Sequence, residues 1–256
     1  MTGKVYLIGA GPGAPDLITV RGAEILKLAD IVFYDALVHP DTLGFASRAR
    51  KVAVGKRCSC ISTDQRFINR NLVEAAHKYR IVVRLKGGDP MLFARAHEEI
   101  AALEKAGIEY QIVPGVTSAL GASAEIGVSL TRRGMSRSVV FVTPRVGEGE
   151  EATAWAKSVL AADTAVLYMA ASQAREVSAL LISQGLPAET PALVVEKATL
   201  PESRRFQTTL SGLSEAVHWN LQAPALIFLG AVFREVAEAD VEFTQLLRET
   251  QAAVAG

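Results

Sequence analysis

The sequence predicts an α/β protein made of two α/β domains. Three observations carry this expectation. Short apolar, β-branched runs such as Val5-Tyr6-Leu7-Ile8 and Ile81-Val82-Val83-Arg84-Leu85 alternate with segments of helical spacing, which implies a mainly parallel sheet with helices on both faces. Two of these runs end in glycine-rich loops, Gly9-Ala10-Gly11-Pro12-Gly13 and Gly87-Gly88-Asp89-Pro90. Ligands of open α/β sheets bind just past the carboxyl ends of strands, and glycines there let main chain approach a ligand closely. Finally, 256 residues, 50% of them hydrophobic, suffice for one large core or two smaller ones.

In the first half, strands are expected at 4–8, 31–34, 51–54, 81–85 and 109–113, and helices near 19–29, 64–78 and 94–106. In the last of these, Ile100, Leu103 and Ala106 form the apolar set, against Glu98, Glu99, Glu104 and Lys105. Val113-Pro114-Gly115-Val116-Thr117-Ser118 ends the fifth strand and opens a helix of small residues over 117–126, with Thr117 or Ser118 as N-cap. In the second half, strands are expected at 138–143, 164–169, 191–196, 205–209 and 225–229, and helices near 152–161, 172–184 and 211–218. Val194-Val195-Glu196 and Arg205-Phe206-Gln207 flank a polar turn containing Pro201, so these strands are neighbours and the second sheet is mixed. Pro, Gly and a basic run over 114–137 place a boundary there, giving domains 1–114 and 115–256. The acidic stretch 147–151 reads as a solvated loop, and 233–256 as a surface helix with a frayed end.

Composition narrows the function classes. Twenty-seven basic and 27 acidic residues give a formal net charge of zero, which offers no support for nucleic-acid binding through bulk charge. No run approaches the ~18–20 apolar residues of a membrane span. The N-terminus enters a strand with no targeting pattern, so a soluble, cytoplasmic protein is expected. Cys58 and Cys60, one residue apart, form neither a disulfide framework nor a zinc set. They read as incidental thiols, and no metal centre is expected.

Gly9-x-Gly11-x-x-Ala14 formally matches the dinucleotide fingerprint, with Asp30 and Asp35 near the expected acidic distance. An NAD-dependent oxidoreductase is therefore one reading. Against it, Pro12 and Pro15 remove amide donors where a pyrophosphate would need them. The loop suits close contact with a ligand that is not a phosphate.

Taken together, the motifs resemble those of the tetrapyrrole methyltransferases. The carrying segments are Val5 through Gly13, Tyr34-Asp35-Ala36-Leu37-Val38, Val54-Gly55-Lys56-Arg57, Val83 through Pro90, Val113 through Ala119 and Leu130-Thr131-Arg132-Arg133-Gly134. Leu167-Tyr168-Met169 and Pro224-Ala225-Leu226-Ile227 continue the match, which runs in order from about residue 4 to 232. The pieces around Asp35 and Lys56 favour the uroporphyrinogen-III C-methyltransferase branch.

The resemblance implies two α/β domains with the active site in the cleft between them, a homodimer, and S-adenosylmethionine as methyl donor. It implies cofactor contacts at Pro12, Gly87, Gly88, Asp89, Leu92, Thr117, Ser118, Met169 and Ala198. Asp89 would face the cofactor's polar end, Leu92 and Met169 would pack on its apolar surfaces, and Ala198 would leave room for adenine. The implied reaction methylates uroporphyrinogen III at C2 and C7 to give precorrin-2, with S-adenosylhomocysteine as co-product. Asp35 is the candidate proton acceptor and Lys56 the candidate proton donor or carboxylate clamp. Arg95 is the candidate substrate grip, with Glu98 one helical turn on. Arg132, Arg133 and Arg137 form a further basic cluster suited to a substrate with eight carboxylates, and Arg21 and Arg57 are further candidates.

The chain also departs from the family pattern. Members usually carry Gly-Arg-Gly-Gly-Glu-Glu where this chain has Ala94-Arg95-Ala96-His97-Glu98-Glu99. The usual Leu-Thr-His-Arg-Gly is here Leu130-Thr131-Arg132-Arg133-Gly134, and Val-Thr-Gly-His is Val142-Thr143-Pro144-Arg145. These changes touch the substrate side more than the cofactor side. A methyltransferase acting on a later precorrin and a non-catalytic regulator are the remaining alternatives.

Overall fold

The computed structural model describes residues 2–55, 65–145, 153–221 and 223–234. The chain groups into two compact units. Unit 1 comprises 1–121 with Thr199–Pro201, and unit 2 the remainder.

Unit 1 is built on five strands, β1 (Lys4–Gly9), β2 (Ile31–Tyr34), β3 (Arg50–Ala53), β4 (Ile81–Lys86) and β5 (Tyr110–Val113). They lie in the order β3-β2-β4-β1-β5, and every pairing is parallel. Parallel neighbours need long crossovers, and helices supply them. These are α1 (Val20–Leu28), α2 (Gln65–Ala76) and α3 (Ala96–Lys105), while α4 (Ser118–Ile126) follows β5. Because both faces are covered, strand residues of either parity are buried. Val5, Leu7, Phe33 and Val82 pack with Leu72 and Leu103 on one face. Ile8, Val32, Val83 and Leu85 pack with Leu26 on the other. Thr19 caps α1, its hydroxyl accepting from the Gly22 N–H at 3.2 Å.

The chain leaves β1 through α1 on one face and β4 through α3 on the other. The loops after these two neighbouring strands therefore part to opposite faces. That is the arrangement that opens a ligand crevice in doubly wound sheets.

Unit 2 carries β6 (Val139–Val142), β7 (Thr164–Leu167), β8 (Pro191–Glu196), β9 (Arg204–Thr209) and β10 (Ala225–Gly230), in the order β6-β7-β10-β8-β9. β6 and β7 are parallel; β10 is antiparallel to β7 and β8, and β9 to β8. The sheet is mixed, as the Pro201 turn implied. Its core joins Leu167, Val194 and Ile227 to Val159 of α5 (Ala154–Ala161) and Val177 and Leu181 of α6 (Ala174–Ser183).

The expected strands form, with ends shifted by a residue or two. Several helices differ. The helix expected from 94 starts at Ala96, because Arg95 sits at φ 53°, a left-handed conformation an α-helix of L-residues does not include. The segment 211–219 is a 3-10 turn rather than an α-helix, and a 3-10 turn over Pro40–Phe45 was not expected. The loop expected at 147–151 lies outside the described residues, as does all but the first two residues of the surface helix expected over 233–256. Among the described residues, no helix is long and apolar enough to cross a membrane.

Candidate active site

Four loops meet at the carboxyl edge of the unit 1 sheet. The turns after β1 and β4 are joined by a two-way backbone bridge: the Gly88 N–H donates to the Gly11 carbonyl at 2.7 Å, and the Gly11 N–H to the Gly88 carbonyl at 3.3 Å. Gly9 has no room for a side chain, since a Cβ there would lie 2.6 Å from the backbone of Gly115 and from the Gly88 carbonyl oxygen. Gly88 is at φ 67°, a conformation that favours glycine. A Cβ on Gly88 would reach only ordinary contact distance from Thr117 and Ser118, 3.9 and 4.0 Å. Backbone from three strand ends thus converges where glycine keeps side chains out.

Asp89 holds this convergence together. One carboxylate oxygen accepts from the Met91 N–H at 2.7 Å, the other from the Gly115 N–H at 2.9 Å. The residue expected to face a cofactor's polar end therefore also ties the loop after β4 to the loop after β5. Pro12 packs on α4 at Gly121, where a Cβ would lie 2.7 Å from the proline ring. The Ala14 N–H donates to the Thr199 hydroxyl at 3.0 Å.

Asp35 follows β2 directly, at the same edge. Its carboxylate accepts from Arg84 Nη2 at 2.5 Å. Behind it lies a polar cluster that sequence spacing missed. Arg84 Nε donates to Glu99 Oε1 at 2.9 Å, and Lys86 Nζ lies 3.0 Å from each Glu99 oxygen. Gln65 Nε2 donates to Glu99 Oε1 at 3.3 Å. Arg84 and Lys86 share the β4 face of Val82, which α2 and α3 cover. Burial opposes the Arg84 charge, but Asp35 and Glu99 outweigh it and raise the guanidinium's pKa. Burial, with Arg84 alongside, pulls the Lys86 ammonium below the usual lysine value against the opposing pull of Glu99 and Asp35.

Glu99 corrects the expected polar face of α3: it is fully buried, whereas Ala106, assigned to the apolar set, is exposed. Its spacing carried a signal, because Ala96, Glu99 and Leu103 form one i, i+3, i+7 stripe and all three are buried. The charge of the side chain masked it.

Arg95 and Glu98 stand together on the exposed side. Arg95 Nε and Nη2 donate to the two Glu98 oxygens at 2.6 and 2.9 Å. That bond to Arg95 holds the Glu98 carboxyl below its usual range. Leu92 lies in the intervening loop, its N–H donating to the Asp89 carbonyl at 3.4 Å. His97 faces solvent. Lys56, Arg57, Cys58 and Cys60 lie outside the described residues.

In unit 2, β6, β7 and β8 run the same way. Met169 and Ala198 follow the carboxyl ends of β7 and β8, so they share one edge of that sheet. Met169 is at φ 54° and 41% exposed. Ala198 is buried between two left-handed residues, Lys197 at φ 54° and Thr199 at φ 68°. Arg132, Arg133 and Arg137 are exposed on and beside a tight turn closed by Arg132 and Ser136.

The two acids near the dinucleotide distance both have partners in this fold. Asp30 precedes β2, at the opposite edge of the sheet, and caps the start of β4 by accepting from the Arg80 and Ile81 N–H groups. Asp35 is paired with Arg84. The edge has the backbone density of a ligand cradle.

Comparison with known proteins agrees with this geometry. Residues 4–214 match the family model of the tetrapyrrole (corrin/porphyrin) methylases. A uroporphyrinogen-III C-methyltransferase of Pseudomonas aeruginosa is 39% identical over 245 residues, 95% of this chain and 100% of that protein. A siroheme synthase of Nitrosococcus oceani is 40% identical over 90% of this chain, which spans only 50% of that longer protein. Among solved structures, a uroporphyrin-III C-methyltransferase of Thermus thermophilus complexed with S-adenosylhomocysteine superposes with a TM-score of 0.77 at 36% identity, covering 91% of this chain and 99% of the other. With a family match over residues 4–214 and a relative 39% identical along its whole length, the chain belongs to the tetrapyrrole methylases.

Proposed function

We propose that this protein transfers two methyl groups from S-adenosylmethionine to uroporphyrinogen III, at C2 and C7, giving precorrin-2 by way of precorrin-1. The observation that carries this reading is the 39% identity to a uroporphyrinogen-III C-methyltransferase along that protein's entire length. The cofactor reading is supported by the S-adenosylhomocysteine complex of the Thermus relative.

The residues present fit such a cofactor. Gly9, Gly88 and Gly115 keep backbone groups close and side chains away, which suits a ligand gripped by main chain. A sulfonium cofactor lacks phosphates, so Pro12 and Pro15 remove no donor it requires. Pro12, Gly87, Gly88, Asp89, Leu92, Thr117 and Ser118 would hold it, and the family resemblance adds Met169 and Ala198. S-adenosylmethionine supplies an electrophilic methyl group: a substrate carbon forms the new C–C bond as the S–CH3 bond breaks, and the substrate gives up one proton per transfer. Alignment of the reacting atoms supplies much of the rate.

Asp35 accepts that proton, and its pairing with Arg84 fixes where the carboxylate stands. Lys56 follows β3 in sequence as Asp35 follows β2, and acts as proton donor or carboxylate clamp. Arg95 grips a substrate carboxylate, with Glu98 holding its guanidinium in orientation. Arg132, Arg133 and Arg137 take further carboxylates. The protein acts as a cytoplasmic homodimer, a reading that rests on the resemblance and is checked by light scattering in solution.

The test is an anaerobic incubation of the protein with uroporphyrinogen III and S-adenosylmethionine, followed by product mass. A gain of two methyl groups is expected, lost in Asp35→Ala and reduced in Arg95→Ala. No methylation, with S-adenosylhomocysteine still bound, would redirect the reading to a later precorrin.

A further inference from the structure

We propose that Glu99 is a positioning residue for the transfer, acting through Arg84 to hold the Asp35 carboxylate in place. The proposal rests on the reading above in which Asp35 accepts the substrate proton.

Glu99 is wholly buried on α3. A carboxylate in that position carries a desolvation penalty that a leucine of the same stripe would avoid. Its contacts show a directed arrangement. Arg84 presents Nε to Glu99 at 2.9 Å and Nη2 to Asp35 at 2.5 Å, so the two acids grip the planar guanidinium at separate positions. Nη1 donates to the Leu85 carbonyl at 3.1 Å. A guanidinium is rigid, so fixing Nε fixes the direction of Nη2.

Lys86 bridges both oxygens of Glu99 and Gln65 adds a third donor, so the anchoring carboxylate is itself fixed in its plane. The Lys86 carbonyl accepts from the Ala10 N–H at 2.7 Å, which places this anchor directly beneath the glycine loops. Two cations face two anions, so the cluster is neutral as a whole while Asp35 alone reaches the exposed edge: its side chain is 29% exposed, against 3% for Arg84 and 0% for Glu99. The cluster thus runs from a buried anchor to a carboxylate at the carboxyl edge of the sheet.

Glu99→Gln keeps the shape and removes the charge that orients Arg84. Its kcat, counted per S-adenosylhomocysteine-binding site, is expected to fall about 10- to 100-fold, the scale of a misplaced catalytic group. KM for uroporphyrinogen III and the affinity for S-adenosylhomocysteine should stay within about twofold, well under the tenfold that 1.4 kcal/mol represents. Arg84→Lys keeps a cation but cannot span both acids. It should reproduce the fall, and the double variant should be no worse than either single one.

A crystal structure of Glu99→Gln should show the Arg84–Asp35 pair broken or displaced. An unmoved Arg84–Asp35 pair, or wild-type kcat per binding site, overturns the proposal. If Glu99→Gln does not fold, Arg84→Lys reads the same link, and wild-type kcat there overturns it equally. A wild-type protein that binds S-adenosylhomocysteine but never methylates uroporphyrinogen III would overturn the substrate reading instead. The crystal structure would then still decide the positioning role.

Discussion

Each unit hides a glutamate beside its sheet, and the two are held in different ways. Glu99 in unit 1 receives Arg84, Lys86 and Gln65, all from inside the fold. Glu196 ends β8 in unit 2 and is equally buried, but its partner Arg204 has a side chain 44% exposed. Arg204 Nε donates to Glu196 at 2.6 Å, its guanidinium lies over the Phe206 ring, and Glu196 also accepts from the Ala223 N–H at 2.9 Å. The second arrangement is a clamp. It ties β8 to β9 and to the segment entering β10, just before the left-handed turn at Lys197–Thr199. The first is closed to water along its length and opens only at Asp35. A buried carboxylate can therefore serve stability alone, or it can orient a group at a functional edge. The exposure of its partners and the place where the network ends distinguish the two.

The largest effect should come from that end point. Asp35→Asn should lower kcat/KM by ~10²- to 10⁴-fold, the range for a lost general base, with S-adenosylhomocysteine binding kept. Glu196→Gln should leave turnover per folded site unchanged. Equal turnover losses in the two variants would erase the distinction between network and clamp.

Stability should separate the glutamates next. Glu99→Ala leaves two buried cations without their shared anion and should cost ~3–5 kcal/mol in urea unfolding. Glu196→Ala leaves a half-solvated arginine and one backbone N–H and should cost ~1–3 kcal/mol. A Glu196 variant as damaging as the Glu99 one would mean that the exposure of Arg204 counts for little.

The loops sharpen the same contrast. Gly9→Ala forces a methyl to 2.6 Å from the Gly115 backbone, so it should cost ~1–3 kcal/mol of overpacking and also weaken S-adenosylhomocysteine binding by calorimetry. In Gly127→Ala, the new Cβ meets nothing within 4 Å and strains only φ, which is 70°. It should cost ~1–2 kcal/mol and leave binding intact. Undiminished binding in Gly9→Ala would show that the cradle tolerates movement.

The smallest effect is a pH dependence in unit 2. Asp163 accepts from the N–H groups of Arg137 and Ser138 and from the Ser138 hydroxyl, which hold its carboxyl below the usual carboxylate range. A depressed folded pKa means that the unfolded chain binds the proton first as pH falls. The stabilisation is therefore complete above the unfolded value and fades as pH drops through the lower folded one. Thermal melts of Asp163→Asn should fall below wild type at neutral pH and converge with it only at a pH well below the ordinary aspartate value. A gap that stays constant down to that pH would show that Asp163 acts by shape and not by charge.

Much of this was legible in the chain itself. Alternating apolar runs and helical segments determined two sheet-based units, because backbone pairing and burial impose those periods locally. Glycines at strand ends marked where the loops after β1, β4 and β5 close on one another, because close backbone approach excludes a Cβ. The proline in the first loop already disfavoured a phosphate ligand, since a missing N–H is a property of the residue and not of its surroundings. Only the tertiary structure decided which charges face inward. In a sheet covered on both faces, strand alternation no longer tells solvent from core, so Arg84 and Lys86 carried no mark of their burial. Glu99 sat in a buried stripe, yet a glutamate beside another glutamate reads as a wet face. A charge becomes tolerable in a core only when its partners arrive from elsewhere in the chain, here β4 and α2, and that pairing exists only once the fold has formed.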